Sequence, residues 1–191
     1  MPRPRDDNKI PMIQQAALRL VIQTGFSGLK MQDVAKEAGM ATGTLYIYYP
    51  SKEDLINELF VLTKKEIANV MLHPDNQAET FYQTFKKMWL SYFEFCHQNP
   101  EKMLFVEQFL YSGLISEHNI SLTNRFFEPL NEFLSNAQKQ GVIKALDAEI
   151  LKAHMQGAIH EMVKYLEKNK QIIEGYLIDR LFELTWNGVK L

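Results

Sequence analysis

The chain has 191 residues, of which 46% are hydrophobic and 12% aromatic, and its formal net charge is −2. This content supports a substantial buried core and excludes a wholly disordered chain. Cys96 is the only cysteine, so no intrachain disulfide can form, and no apolar run reaches the roughly 18–20 residues of a membrane span, from which we expect a soluble, cytoplasmic protein.

The start of the chain carries the positive charge. Residues 1–52 hold seven Lys and Arg against four acidic residues, a net charge of +3, which leaves −5 for the remainder. Residues 1–8 contain two prolines and no apolar face, so they are predicted to form a flexible basic arm.

Three short helices are predicted next. The first begins near Lys9, where apolar residues start to recur at helical spacing, and Gly25 provides its C-terminal glycine. The second covers 31–38, and Gly39 follows where a tight turn needs a left-handed residue. The third begins at Thr42. Two short helices joined by a glycine turn are typical of a helix-turn-helix.

The rest of the chain is predicted to be helical as well. Ser51 can cap a fourth helix that runs to about Leu72. Strict period-two alternation is missing from the sequence, so the predicted fold class is all-α. Five further helices are predicted, at 78–97, 101–112, 121–140, 147–168 and 171–189.

The segment from Met31 to Leu55 resembles the DNA-binding segment of the TetR family of bacterial transcriptional regulators, and the specific match covers roughly residues 9–60. The resemblance implies a three-helix helix-turn-helix DNA-binding domain at 9–50, after the arm at 1–8. It also implies a C-terminal helical ligand-binding and dimerisation domain at 51–191. Members of the family usually repress transcription and act without enzyme activity, and the sequence indicates no cofactor.

The third helix offers side chains suited to DNA. Thr42 and Thr44 lie near its N-terminus, where hydroxyls and backbone amides can meet a phosphate or a base edge, and Gly43 lets the backbone come close. Two tyrosines carry long rigid rings with polar tips, suited to a phosphate or to a thymine methyl group. Lys52 would bring its ammonium group and the positive end of the fourth helix to a phosphate.

One position departs from the family pattern. Where this chain has Met31, the family often has a threonine or serine whose hydroxyl reaches a phosphate, so Lys30 or Gln32 would have to compensate. The arm could enter a minor groove, with a solvated tail as the alternative. The predicted DNA contacts are Lys30, Gln32, Thr42, Gly43, Thr44, Tyr46, Tyr48, Lys52, Arg3 and Arg5.

Residues 81–134 are rich in aromatic side chains. Most of these rings are expected to fill a core, but such a composition also favours an adaptable apolar cavity, and the resemblance implies a small-molecule inducer there. A carboxylate among rings would suit a lipophilic or cationic ligand, unless Glu107 is simply solvated. The predicted lining is Trp89, Phe93, Phe105, Phe109, Phe127 and Met155, with Glu107 or His154 as polar anchors.

The last two predicted helices carry apolar stripes that are too wide for one small domain to cover. A symmetric homodimer would bury the excess, and a two-fold pair of helix-turn-helix units requires a near-palindromic operator. Inducer binding would favour a dimer conformation with lower operator affinity. The predicted interface residues are Ile150, Met162, Tyr165, Ile173, Tyr176, Leu177 and Leu184.

Two other functions were weighed. An enzyme or metal site is disfavoured because the Glu94 and His97 spacing of di-iron bundles occurs only once, and His154 and His160 fall on different faces of one helix. A helical scaffold that binds a partner protein without regulated DNA binding is the alternative. We therefore expect a DNA-binding regulator that a small hydrophobic inducer releases from its operator.

Overall fold

The structure is a computed structural model that describes residues 6, 8–78, 80–171 and 175–191, with all their side chains except that of Asn76. Within these ranges it contains ten α-helices, a short 3₁₀ helix and one isolated β-bridge, which confirms the all-α class. The helices are α1 (Lys9–Gly28), α2 (Met31–Glu37), α3 (Thr42–Tyr48), α4 (Lys52–Met71), the 3₁₀ helix (Pro74–Asn76), α5 (Phe81–Gln98), α6 (Pro100–Leu110), α7 (Glu117–Arg125), α8 (Glu128–Lys139), α9 (Ala148–Asn169) and α10 (Gly175–Val189).

Packing divides the described residues into two compact units. The first contains the residues up to Lys64 together with Glu101–Thr123, and the second contains Lys65–Pro100 and Asn124–Leu191. Helices α4, α6 and α7 contribute residues to both units, although only Pro100 of α6 belongs to the second. The functional boundaries at 1–8, 9–50 and 51–191 stay a prediction.

The first unit is built around the inward faces of its short helices. Ile13 and Val21 of α1, Val34 of α2, Leu45 of α3 and Leu55 of α4 are all fully buried. Burying an aliphatic side chain of this size stabilises a fold by about 1.5–3 kcal/mol, so these residues stabilise the packing of α1, α2, α3 and the start of α4 in this unit.

Of two local predictions in this unit, one is confirmed and one needs correction. Gly25 has a left-handed φ of +69°, but it interrupts α1 and does not end it, since the helix continues to Gly28 and the N–H of Leu29 donates to the carbonyls of Gly25 and Phe26. Ser51 caps α4, since its Oγ accepts the N–H of Asp54 at 3.0 Å. Both features satisfy backbone groups that a helix end leaves without intrahelical partners.

The second unit combines α5 with α8, α9 and α10. A capping box of Thr80 and Gln83 begins α5. The ring of Phe81 stacks on that of Phe133 of α8 with centroids 4.4 Å apart. The C-terminal segment pairs with the loop between α8 and α9, where the N–H of Lys144 donates to the carbonyl of Val189 at 2.9 Å.

The single helix predicted at 121–140 is wrong, because the structure has two helices there. Helix α7 ends at Arg125, Phe127 leaves helical geometry with φ of −105° and ψ of 7°, and α8 begins at Glu128. Pro129 explains the break: it has no N–H to donate to the carbonyl four residues earlier, and its ring clashes there, so it fits only the first turn of a new helix.

Candidate nucleic-acid interface and effector core

The turn between α2 and α3 has the hydrogen bonds of a left-handed glycine cap. Gly39 has φ of +67°, its N–H donates to the carbonyl of Lys36, and the N–H of Met40 donates to the carbonyl of Ala35 at 2.9 Å. These bonds satisfy carbonyls at the end of α2 that have no partner inside the helix. The predicted left-handed Gly39 is confirmed, and α3 begins three residues later.

Helix α3 has one buried and one exposed face. Leu45 is fully buried, Tyr48 is 7% exposed, and Tyr49, just beyond the helix, is 1% exposed. These positions follow the i, i+3, i+4 spacing of a single helical face. On the other side of α3, Tyr46 is 48% exposed and Ile47 is 60% exposed.

The structure corrects the prediction that Tyr48 presents its side chain to DNA. Its buried ring lies beside Leu45, and its hydroxyl accepts the N–H of Asp6 at 2.8 Å and donates to the carbonyl of Asp6 at 2.9 Å. Tyr48 therefore ties the chain before α1 to α3. Ile47, which was not among the predicted contacts, occupies the exposed position, and the spacing of Leu45, Tyr48 and Tyr49 could have revealed this.

Gly43 is an exposed glycine that the fold itself does not require. Its φ lies outside the left-handed region, and a Cβ built on it meets no heavy atom of the described residues within 4 Å. Thr42 and Thr44 on either side are half-buried. Since no internal clash or backbone strain selects glycine here, its effect is to leave the α3 backbone open to an external partner.

Lys52 is the first residue of α4, as predicted, and its side chain contacts the end of α1. The ammonium group donates to the carbonyl of Phe26 at 3.2 Å and lies 4.3 Å from the centroid of the Phe26 ring. Hydrogen-bonding and cation–π attraction therefore both hold this side chain in place. An ammonium group has three N–H donors, so the contact with Phe26 is compatible with a phosphate contact, which stays a prediction.

The remaining predicted DNA contacts lie at the start of α2 and in the arm. Lys30 and Gln32 are exposed, whereas Met31 between them is 7% exposed. Of residues 30–32, only Lys30 and Gln32 are therefore exposed at the surface, where they could contact DNA. Arg3 and Arg5 lie outside the described residues.

Four of the predicted effector-binding residues are buried in the second unit, namely Trp89, Phe93, Phe127 and Met155. The rings of Trp89 and Phe93 stack with centroids 5.5 Å apart, and Phe182 meets Trp89 edge-on at 5.7 Å. The indole N–H of Trp89, a residue only 2% exposed, has no hydrogen-bond acceptor within the described part of the chain. A bound molecule that supplies an oxygen atom would satisfy this donor.

The other predicted effector residues do not belong to this cluster. Phe105 and Phe109 lie in the first unit, where their rings are 4.8 Å apart and Phe109 meets Phe26 edge-on. Glu107 and His154 are exposed, so the prediction that either one anchors a ligand among aromatic rings is wrong. With Glu107 exposed, the carboxylate predicted to attract a cationic ligand does not lie among these rings.

A buried polar cluster that the sequence analysis missed joins α5 to α9. The hydroxyl of Tyr92 lies 2.7 Å from Nε2 of His160, and the amide of Gln156 donates to the same hydroxyl at 3.2 Å. His160 is 5% exposed. Nearby, burial raises the pKa of the Cys96 thiol to about 12, against a smaller opposing effect of a hydrogen bond with Tyr92. No local sequence pattern pairs residues this far apart.

Helices α9 and α10 expose apolar side chains from the set predicted for the dimer interface. Met162 and Leu177 are half-buried, and Ile173 lies outside the described residues. Four large apolar side chains of the set are more than half exposed, namely Ile150 (57%), Tyr165 (57%), Tyr176 (66%) and Leu184 (71%).

The described part of the chain has neither a metal-binding cluster nor a membrane-spanning helix. Among the described residues, no three His, Cys, Asp or Glu side chains are grouped so that they could hold a metal ion. No described helix combines the length and apolar character that crossing a membrane would need.

Comparison with known proteins places both parts of the chain in one family. Residues 13–59 match the family model described as "Bacterial regulatory proteins, tetR family", and residues 80–190 match "Tetracyclin repressor-like, C-terminal domain". A relative from Haemophilus influenzae, named as an HTH-type transcriptional regulator, is 29% identical over 142 residues, which are 73% of each protein.

Solved structures show the same fold. A TetR family transcription regulator from Marinobacter aquaeolei VT8 has a TM-score of 0.90 at 24% identity, with 97% of each chain covered. The regulator FadR from Bacillus subtilis, solved in complex with stearoyl-CoA, has a TM-score of 0.69 at 20% identity, with 93% of this chain and 98% of that chain covered. Since the two family models together span most of its length, the chain belongs to the TetR family of bacterial regulatory proteins, which are transcription regulators and not enzymes.

Proposed function

We propose that the protein is a ligand-responsive repressor that binds a near-palindromic operator as a homodimer. The observation that carries the proposal is the exposed face of α3, where Gly43, Tyr46 and Ile47 are at the surface although the fold needs none of them there. A short helix that follows a tight turn and presents such a face fits the major groove of DNA.

The apolar surface of α9 and α10 supports the homodimer. Tyr176 and Leu184 are each about two-thirds exposed, and Ile150 and Tyr165 are more than half exposed. A two-fold interface buries such a face against its own copy, because a symmetric contact uses the same patch twice. Two helix-turn-helix segments related by the two-fold axis of the dimer require two inverted half-sites, so the operator is near-palindromic.

The core around Trp89 supports an effector that is mainly apolar and carries at least one hydrogen-bond acceptor. Trp89, Phe93 and Phe182 form the aromatic contacts, and the indole N–H of Trp89 is the donor that an effector oxygen would satisfy. FadR of Bacillus subtilis, which shares the fold, was solved with stearoyl-CoA, an amphiphile of this general kind. The effector would favour a conformation with lower operator affinity, and DNA would weaken effector binding by the same factor.

The DNA-binding part is tested by selecting duplexes from a random pool with the purified protein and measuring affinity by fluorescence anisotropy. We expect an inverted repeat, and a logarithmic affinity that falls linearly with the logarithm of salt concentration. Lys52→Gln should reduce that slope by about 2 across the dimer, because each lost phosphate contact lowers it by roughly 0.9. Tyr111→Ala is the control, since Tyr111 is 87% exposed outside the helix-turn-helix and should leave the slope unchanged.

The effector part is tested with a defined set of probes: stearoyl-CoA, stearate and aromatic carboxylic acids. At least one of them should raise the thermal stability of the protein and weaken the selected duplex. Trp89→Phe keeps an aromatic ring but removes the N–H donor together with the five-membered ring of the indole. It should therefore weaken that probe by at least about three- to tenfold while operator affinity without the probe is retained. Unchanged operator affinity at saturating probe would contradict regulation by that ligand.

A further inference from the structure

Ile47 is the largest aliphatic side chain on the exposed face of α3, and its exposure is not explained by packing within the described residues. Isoleucine is among the residues most often buried, yet here it is 60% exposed, next to the 48% exposed Tyr46. Isoleucine is also a weaker helix former than alanine, so helix formation does not select it in a helix of seven residues.

The position of Ile47 relative to Gly43 creates a specific local shape. The two residues are four apart in α3 and therefore share a face, with Ile47 one turn towards the C-terminus. Side chains in a helix lean towards the N-terminus, so the Ile47 side chain leans towards the turn that contains Gly43 without covering that residue. Because Gly43 lacks a Cβ and nothing within 4 Å would meet one, an apolar side chain borders an open notch in the backbone surface.

The chemistry of the major groove limits what such a notch can recognise. Hydrogen-bond donors and acceptors line the base edges there, and the C5 methyl group of thymine is the one apolar group. An aliphatic side chain makes no hydrogen bonds, so among the base edges it gains most free energy by covering that methyl group. A polar base edge against Ile47 would lose water without gaining a partner.

We propose that Ile47 packs on a thymine C5 methyl group and thereby specifies a T·A pair at one position of each operator half-site. The inference rests on the proposed function, because it assumes that α3 enters the major groove. In a two-fold complex the same contact is made twice, so the specified thymines are related by the symmetry of the operator.

The test replaces thymine with uracil, one position at a time, in the duplex selected with the wild-type protein. This change removes a single methyl group and keeps every hydrogen-bonding atom. Burial of one methyl group corresponds to about 0.8 kcal/mol, or about fourfold in affinity, so symmetric replacement in both half-sites should weaken binding by roughly fifteenfold. We expect one symmetric pair of positions to show this loss.

Two variants assign the methyl contact to a side chain. Ile47→Ala should bind the thymine and uracil duplexes with equal affinity at that position, whereas Tyr46→Phe should keep the wild-type difference. Ile47→Val, which retains a shorter aliphatic group, should show an intermediate difference. Ile47 is largely exposed, so these variants should keep the thermal stability of the parent protein.

The outcomes separate this inference from the proposed function. Failure to select any duplex would refute DNA recognition itself. A selected duplex in which uracil is tolerated at every position would refute the methyl contact and leave the proposed function intact. A uracil effect that persists in Ile47→Ala would assign the methyl group to another residue and would also refute the role of Ile47.

Discussion

Gly43→Ala is expected to change the stability of the protein and its affinity for DNA in opposite directions. The φ of Gly43 is not left-handed, and an added Cβ has no heavy atom within 4 Å, so alanine fits without strain. Alanine is favoured over glycine in a helix by about 0.5–1 kcal/mol. For a chain of this size we expect the thermal midpoint to rise by about 1–4 °C.

The same methyl group should weaken operator binding, because it would lie between the α3 backbone and the groove. Forcing an extra methyl group into a close-packed contact costs about 1–3 kcal/mol. Both copies in a dimer carry the change, so even the lower value predicts about 30-fold weaker binding. A substitution that stabilises the protein and weakens its DNA complex cannot be explained by loss of folding.

Calorimetry and fluorescence anisotropy with the selected duplex measure the two effects. Gly175→Ala is a matched control, because Gly175 is the first residue of α10 and also has no heavy atom within 4 Å of an added Cβ. It should give a similar stability gain with unchanged operator affinity. Wild-type operator affinity in Gly43→Ala would refute the close approach of the α3 backbone to DNA.

Three further predictions concern the second unit, and the first two use Tyr111, 87% exposed in the first unit, as the control position. Tyr92→Phe removes the buried hydroxyl that contacts His160 and should lower the free energy of unfolding by about 1–3 kcal/mol in urea denaturation, whereas Tyr111→Phe should change it by less than about 0.5 kcal/mol. Leu184→Arg puts a charge on the exposed apolar face, so it should shift the protein from dimer to monomer in analytical ultracentrifugation, whereas Tyr111→Arg should remain dimeric. A dimer that Leu184→Arg leaves intact would argue against this interface. Burial raises the pKa of the Cys96 thiol to about 12, so the thiol stays protonated at pH 8 and should react with a thiol-specific chromogenic reagent only after unfolding. Rapid reaction in the native protein would contradict the burial of Cys96.

Short-range rules predicted the helix-turn-helix well. The left-handed conformation of Gly39 and the cap by Ser51 depend on a few neighbouring residues, so the sequence contains the information that determines them. Helical spacing alone also distinguishes the buried Tyr48 from the exposed Ile47, since Tyr48 follows Leu45 by three residues. A long side chain with a polar tip suggests a DNA contact for Tyr48, but the helical spacing from Leu45 places that side chain on the buried face of α3.

The effector core was harder to predict because its composition depends on tertiary packing. Helical spacing correctly indicates that Trp89 and Phe109 are buried, but it does not reveal that they belong to different packing units. The contact between Tyr92 and His160 joins residues 68 positions apart, and no local pattern encodes such a pair. The orphan N–H of Trp89 is likewise visible only once its neighbours are placed.

The burial of Cys96 makes the protein well suited to site-directed spin labelling. It is the only cysteine in the chain and is fully buried, so a nitroxide reagent would not react with it and would modify an introduced, exposed cysteine. Glu53→Cys, at an exposed site in the first turn of α4, would put one label shortly after α3 in each protomer. Electron spin resonance could then measure the separation of the two labels in a dimer with and without effector, in the unaltered background of the native sequence.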